Sequence, residues 1–149
     1  MAKAVFNQVN IVSSDPDATL AFYMLLGIDL PDEAVFKGDS GIFHISGPDK
    51  SGVESDFDID SVQFAKSWNT GWKGRDDLAG KVVVGFKVAS RDQVDKIYTE
   101  LIDASHPSLQ PPFDAFWGAR YAIVEDPDGI AVGIMSPVSD EYRSPPPTL

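Results

Sequence analysis

The sequence predicts an α+β fold built from two βαβββ modules. Three observations carry that expectation. Two stripes of apolar residues recur at helical spacing, each stripe follows a strand-like segment, and each is followed by further short strand-like segments divided by turn signals. At 149 residues with 43% hydrophobic content, the chain suits one domain with a sizeable core.

The first cycle opens with AVFNQVNIV at residues 4–12, which reads as a strand. Asp15 is a good helix N-cap, Pro16 suits the first helical turn, and Gly27 suits the position after the helix end. Between them Ala18, Ala21, Phe22, Leu25 and Leu26 form one apolar stripe. The short runs AVFK and GIFHIS flank the turn-like GDSG. In SDFDID, Phe57 and Ile59 alternate with Asp56, Asp58 and Asp60, so the aromatic and aliphatic side chains take one sheet face and the carboxylates the other. Residues 61–80 read as a long loop containing Trp68 and Trp72.

The second cycle opens with KVVVGFKVAS as a strand, and Val94, Ile97, Tyr98, Leu101 and Ile102 form its helical stripe. A proline-rich connection, HPSLQPP, leads to ARYAIVED and GIAVGIMS, two strands around a DPDG turn. Gly133 stands in the interior of the last strand, where a glycine weakens pairing and supplies no side chain. Module one is thus expected at about 4–60, a linker at 61–80, module two at about 81–137, and a proline-rich tail at 138–149, whose SPPPTL stretch at 144–149 lies loose or drapes over a neighbour. A shift of 75 places Val9–Val12 over Val84–Lys87, while the helical stripes match at 76, which implies a one-residue slip between strand and helix.

Charge and composition exclude several classes. With 23 acidic against 12 basic residues the formal charge is −11, and no Lys/Arg cluster exists to hold phosphates, so nucleic acid is not expected as a partner. The acidity serves solubility, or an acidic groove that attracts a cation. There is no cysteine, hence no disulfide and no thiolate nucleophile. No apolar run approaches a membrane span and MAKAVFNQVN lacks a signal-peptide core, so a cytoplasmic protein without membrane partner is expected. No G-x-S-x-G elbow, phosphate loop, HxH, HxxxH or HExxH spacing occurs. The two histidines are His44, in a strand, and His106, in a loop.

The stretches FNQVNIVSSDPDATLAFYMLLGI and WGARYAIVEDPDGIAVGIMSP resemble the vicinal oxygen chelate superfamily, which includes glyoxalase I, extradiol dioxygenases and bleomycin-resistance proteins. The resemblance covers residues 4–137. It implies paired βαβββ modules whose sheets curl into a cup, formed within one chain or across a homodimer, with a divalent ion inside the cup of the metal-dependent members. Carried over residue by residue, their ligand positions fall on Gln8, Asp58 (with Asp56 as register alternative), Val83 and Gly133. Val83 and Gly133 offer no ligating side chain, and a Gln with a carboxylate makes a poor metal site. No metal and no cofactor are therefore expected, and Gly133→Glu with Val83→His is expected to improve metal binding.

Two functional classes follow. The first is a metal-independent binding protein of the bleomycin-resistance type, sequestering an aromatic or cationic small molecule. Its ligand-binding candidates are Gln8, Asp56, Asp58, Trp68, Trp72, Phe113, Phe116 and Trp117, an aromatic wall with a few polar groups. The second is a lyase, isomerase or dioxygenase of the superfamily with an atypical metal site or with Asp58 and His44 as catalytic acid and base. Arg120 is expected to pair structurally with an acidic residue, with contact to an anionic ligand group as the alternative.

Overall fold

The computed structural model describes residues 8–28, 30, 32–46, 56–69 and 82–145. The chain divides into two compact units, residues 1–75 and 76–149. Unit one contains β1 (Gln8–Ser13), α1 (Pro16–Leu25), β2 (Val35–Gly38), β3 (Gly41–Ser46), β4 (Asp56–Ser61) and α2 (Val62–Trp68). Its sheet runs β1-β4-β3-β2, with β1 parallel to β4 and the other pairs antiparallel. Unit two contains β5 (Val83–Lys87), α3 (Arg91–Asp103), β6 (Ser108–Asp114), β7 (Arg120–Glu125) and β8 (Ala131–Met135), in the sheet order β5-β8-β7-β6 with the same pattern of directions. This is the α+β, twice-repeated βαβββ arrangement the sequence predicts.

Along β1, α1 and β4 the repeat keeps one offset, fixed by the hydrogen-bond registers. Gln8 pairs with Asp56 and Val83 with Ala131, each 75 positions on. The helices keep the same offset: Asp15 caps α1 and Ser90 caps α3, each accepting from the backbone N–H three residues on. The slip to 76 inferred from apolar spacing does not occur. Its source is the choice of stripe, because α1 buries Thr19, Phe22, Tyr23 and Leu26 and leaves Ala21 and Leu25 exposed. Thr19 and Leu26 correspond to the fully buried Val94 and Leu101 of α3. Spacing of three, four and seven residues puts each set on one helix face. In unit one that face meets Ile11, Ile45 and Ile59, and the Tyr23 ring meets Phe57 edge-on at 4.9 Å. Each such fully buried side chain contributes about 1.5–3 kcal/mol over exposure.

Two segments depart from the sequence reading. Residues 62–68 form α2 rather than a loop. Ser61 accepts from Phe64 N at 3.1 Å and Ala65 is fully buried, so a cap and a one-residue anchor suffice for two turns. The HPSLQPP connection becomes β6 despite Pro111 and Pro112. The strand lies at the sheet edge and its pairing with β7 slips twice, which is how a strand accommodates residues without an N–H.

Beyond β8 the chain is tied down as far as Ser144. Ser139 N donates to Gly118 O and Ser144 N to Phe116 O, both at 3.0 Å, and Arg143 bridges to Trp117. The Arg91 guanidinium sits 3.9 Å from the centre of the Tyr142 ring. Residues 146–149 lie outside the described part, as does Trp72.

Candidate functional site

Alternation along β4 puts Asp58 and Asp60 on the sheet face opposite the α1 core. Both are buried, at 8% and 2% exposure. Register then decides their neighbours. Asp60 is paired with His44 of β3, and Asp58 with Ser46 of β3 and Asn10 of β1. His44 Nδ1 lies 2.5 Å from Asp60 Oδ1, while Asn10 Nδ2 donates to Asp60 Oδ2 at 2.9 Å. The imidazole is flanked by the rings of Phe36 and Phe64, with centroids 5.4 and 5.5 Å away. Asp60 accepts from Asn10, and in the tautomer with its hydrogen on Nδ1 His44 donates to Asp60 Oδ1 and keeps Nε2 as an acceptor. Asn10 Oδ1 is buried and has no hydrogen-bond partner among the described residues.

The sequence offers Asp58 and His44 as candidate acid and base; the carboxylate that His44 meets in the structure is Asp60. The alternation of SDFDID already held Asp60 on the correct face. What it lacked was the register of β3, which no local pattern encodes.

Unit two places different chemistry on the equivalent face. Gly85 of β5 and Gly133 of β8 are paired across the parallel ladder. Tyr121, on β7, lies across Gly133. A Cβ built there would overlap the Tyr121 hydroxyl oxygen and stand 2.9 and 3.0 Å from ring atoms Cε2 and Cζ. The same construction at Gly85 meets nothing within 4 Å. Gly133 thus makes room for a neighbour's ring, and Gly85 leaves open space beside it. A recess of about 380 Å³ results, lined by Val83, Gly85, Lys87, Trp117, Tyr121 and Met135 among others.

Its aromatic wall is a cluster of edge-on contacts. Trp117 stands 5.5 Å from Tyr121, 6.3 Å from Phe113 and 5.1 Å from Phe116 between ring centroids. Phe113, Phe116 and Trp117 are therefore brought together as expected, and Tyr121 joins them. Burial pushes the Tyr121 phenol above its ordinary pKa. Behind the wall, Arg120 donates to Asp95 at 2.9 Å and to Asp114 at 3.0 Å, and Arg91 meets Asp114 at 2.5 Å. The hydrogen bond from Arg120, aided by Arg91, holds the Asp114 carboxyl below its ordinary range. Arg120 is a structural residue, as expected.

Of the remaining candidates, Gln8 and Asp56 pair with each other across β1 and β4, and Trp68 closes α2. A larger recess in unit one, about 670 Å³, lies by the β2–β3 turn and α2. Its Ser13, Ser61 and Ser67 hydroxyls bond to Thr19, Phe64 N and Phe64 O, and Gln63 and Lys66 also line it.

The profile of the Glyoxalase/Bleomycin resistance protein/Dioxygenase superfamily matches residues 5–134. The chain belongs to that superfamily. Solved structures of the same fold include a glyoxalase-related enzyme from Fulvimarina pelagi, 19% identical, with a TM-score of 0.70 over 89% of this chain and 88% of that one. They also include a glyoxalase/bleomycin resistance protein/dioxygenase family enzyme from Burkholderia phytofirmans PsJN, 18% identical, with a TM-score of 0.68 over 89% and 98%. TnmS3, an antibiotic binding protein from Streptomyces sp. CB03234, is 22% identical, with a TM-score of 0.59 over 92% and 98%. No curated protein matches the chain.

Membership raises the question of the divalent ion that metal-dependent members carry. At the corresponding positions, Val83 is an exposed aliphatic and the place of the Gly133 side chain is taken by the Tyr121 ring. Among the described residues no three His, Cys, Asp or Glu converge. The residues at these positions do not fit such an ion. No helix among the described residues is long and apolar enough to cross a membrane.

Proposed function

We propose that this member of the superfamily is a metal-independent small-molecule-binding protein, homodimeric and cytoplasmic, that sequesters a flat aromatic or a cationic ligand. The recess of unit two carries the reading. A planar ring has open space over Gly85, and the Tyr121–Trp117 aromatic wall stands beside it. In strands, glycines at such positions mark close approach by a ligand or another backbone. The fold shared with an antibiotic binding protein supports a binding role. The cationic alternative draws on Asp58 and Asp60 of unit one, with Gln8, Asp56, Trp68 and Trp72 as further ligand-binding candidates.

Elemental analysis of protein purified without added metal, paired with fluorescence titration against a panel of aromatic and cationic compounds, tests the proposal. Metal-free protein whose tryptophan emission is quenched by an aromatic compound is the expected result. Stoichiometric Zn, Ni, Mn or Fe would sink the metal-independent reading.

A second reading is favoured by the His44–Asp60 pair. A buried carboxylate that orients an imidazole is the arrangement of a general base, and His44 Nε2 would take the proton in a metal-free lyase or isomerase. Turnover of a glyoxalase-type or isomerase substrate that is lost in His44→Gln, with ligand affinity retained, would establish this reading over the first.

A further inference from the structure

The recess of unit two differs from the acidic face of unit one in the sign of its charge. Lys87, Met135 and Tyr121 form one row across β5, β8 and β7, by the pairings Lys87 with Met135 and Met135 with Tyr121. Lys87 is exposed and, among the described residues, has no acidic partner and is the one charged side chain in the recess lining. The Tyr121 hydroxyl reaches over Gly133 and has no hydrogen-bond partner among the described residues, its contacts being with the rings of Phe113 and Trp117. An ammonium and a phenol O–H both donate, and neither is spent on another described residue.

We infer that this recess takes a planar aromatic anion such as an aryl carboxylate, its ring over Gly85 against Trp117, its negative group on Lys87 with the Tyr121 hydroxyl as second donor. The inference rests on the binding reading above and fixes the head group that reading leaves open. The net charge of −11 opposes anions at long range. In solution of physiological ionic strength that field is screened within about 8 Å, so the nearest charge decides. Gly133 serves this arrangement indirectly, since any side chain there would push the Tyr121 hydroxyl off its position.

Calorimetric titration of the full chain with three naphthalenes of one shape tests the head group: 2-naphthoate, naphthalen-2-ylmethanol and naphthalen-2-ylmethylammonium. The carboxylate is expected to bind at least about tenfold more tightly than either of the others. Lys87→Met is expected to abolish that advantage, weakening the carboxylate far more than the alcohol, and Lys87→Arg to keep it. Tyr121→Phe should weaken the carboxylate by about tenfold or more, the worth of one hydrogen bond to an ionised acceptor. Lys87 is on the surface, so its variants keep the wild-type melting temperature, which is checked alongside. Equal or tighter binding of the ammonium compound, or indifference to Lys87→Met, overturns the inference while leaving the binding reading intact. If none of the three, nor any compound of the broader panel, binds, the binding reading falls with it.

Discussion

The ring of Tyr121 occupies the space that a side chain at Gly133 would need. The two residues are diagonal neighbours on one sheet face, since Tyr121 pairs with Met135 and Gly133 with Ile123. Gly133→Ala is therefore expected to destabilise the protein by about 1–3 kcal/mol through overpacking. Urea denaturation checks this, and the double variant Gly133→Ala with Tyr121→Ala should cost clearly less than the sum of the singles.

The same contact revises the metal expectation. Gly133→Glu with Val83→His restores ligating residue types, yet the new carboxylate has no room beneath the Tyr121 ring. Added zinc is expected to leave the melting temperature of this double variant unchanged. Shortening Tyr121 to Ala in the same chain is the condition under which zinc raises it, and zinc stabilisation with Tyr121 intact would refute the steric account.

Asp60 is the residue on which the polar cluster of unit one depends. Asp60→Ala strands His44 Nδ1 and Asn10 Nδ2 in a place where water is scarce. A loss of about 1–3 kcal/mol in equilibrium unfolding is expected. His44→Gln, which keeps a donor within reach, should cost less.

Tyr121 makes stability sensitive to alkali. Its folded pKa is raised by burial, so the native state holds the phenolic proton after the unfolded chain has released it. That stabilisation is complete below the ordinary tyrosine value and is lost as pH rises through the raised one. Above roughly pH 10 the melting temperature of the wild type should fall more steeply than that of Tyr121→Phe.

Asp114 acts in the opposite direction. Its folded pKa is depressed, chiefly by the hydrogen bond from Arg120 and with help from Arg91. Its contribution is present above the ordinary aspartate range and lost as pH falls through the depressed value. Asp114→Asn should flatten the acid limb of a melting-temperature profile, and an unchanged limb would show that the ion pairs contribute nothing measurable.

Much of this molecule is legible in its sequence because much of it is local. The cap at Asp15, the DPDG turn and the β4 alternation each depend on a few neighbouring residues, and all form as their chemistry directs. In the DPDG turn, Asp126 accepts from Asp128 N and Ile130 N, and Gly129 takes a φ of +81. The edge position of β6 is not local, so Pro111 and Pro112 read as loop. Nor is the partner of His44, which register alone selects. Gly133 was legible as an anomaly and as a missing ligand, but its physical reason comes from a strand ten or so residues away in sequence. Lys87 and Gly85 carried no signal at all, because an exposed lysine and a strand glycine are ordinary until a recess is seen between them.

The equivalence of the two sheets has one more consequence. The place of His44 in unit one is the place of Tyr121 in unit two, 77 positions on, since the first pairs with Asp60 and the second with Met135. Phe36 and Phe113 stand opposite them in the same way. What a repeated framework passes to its copy is a set of addresses, and each occupant finds its own neighbour: the short imidazole reaches straight across to a carboxylate, and the longer phenol leans along the ladder to a glycine. Equivalent positions on one backbone pattern thus acquire different chemistry through side chains of different reach alone.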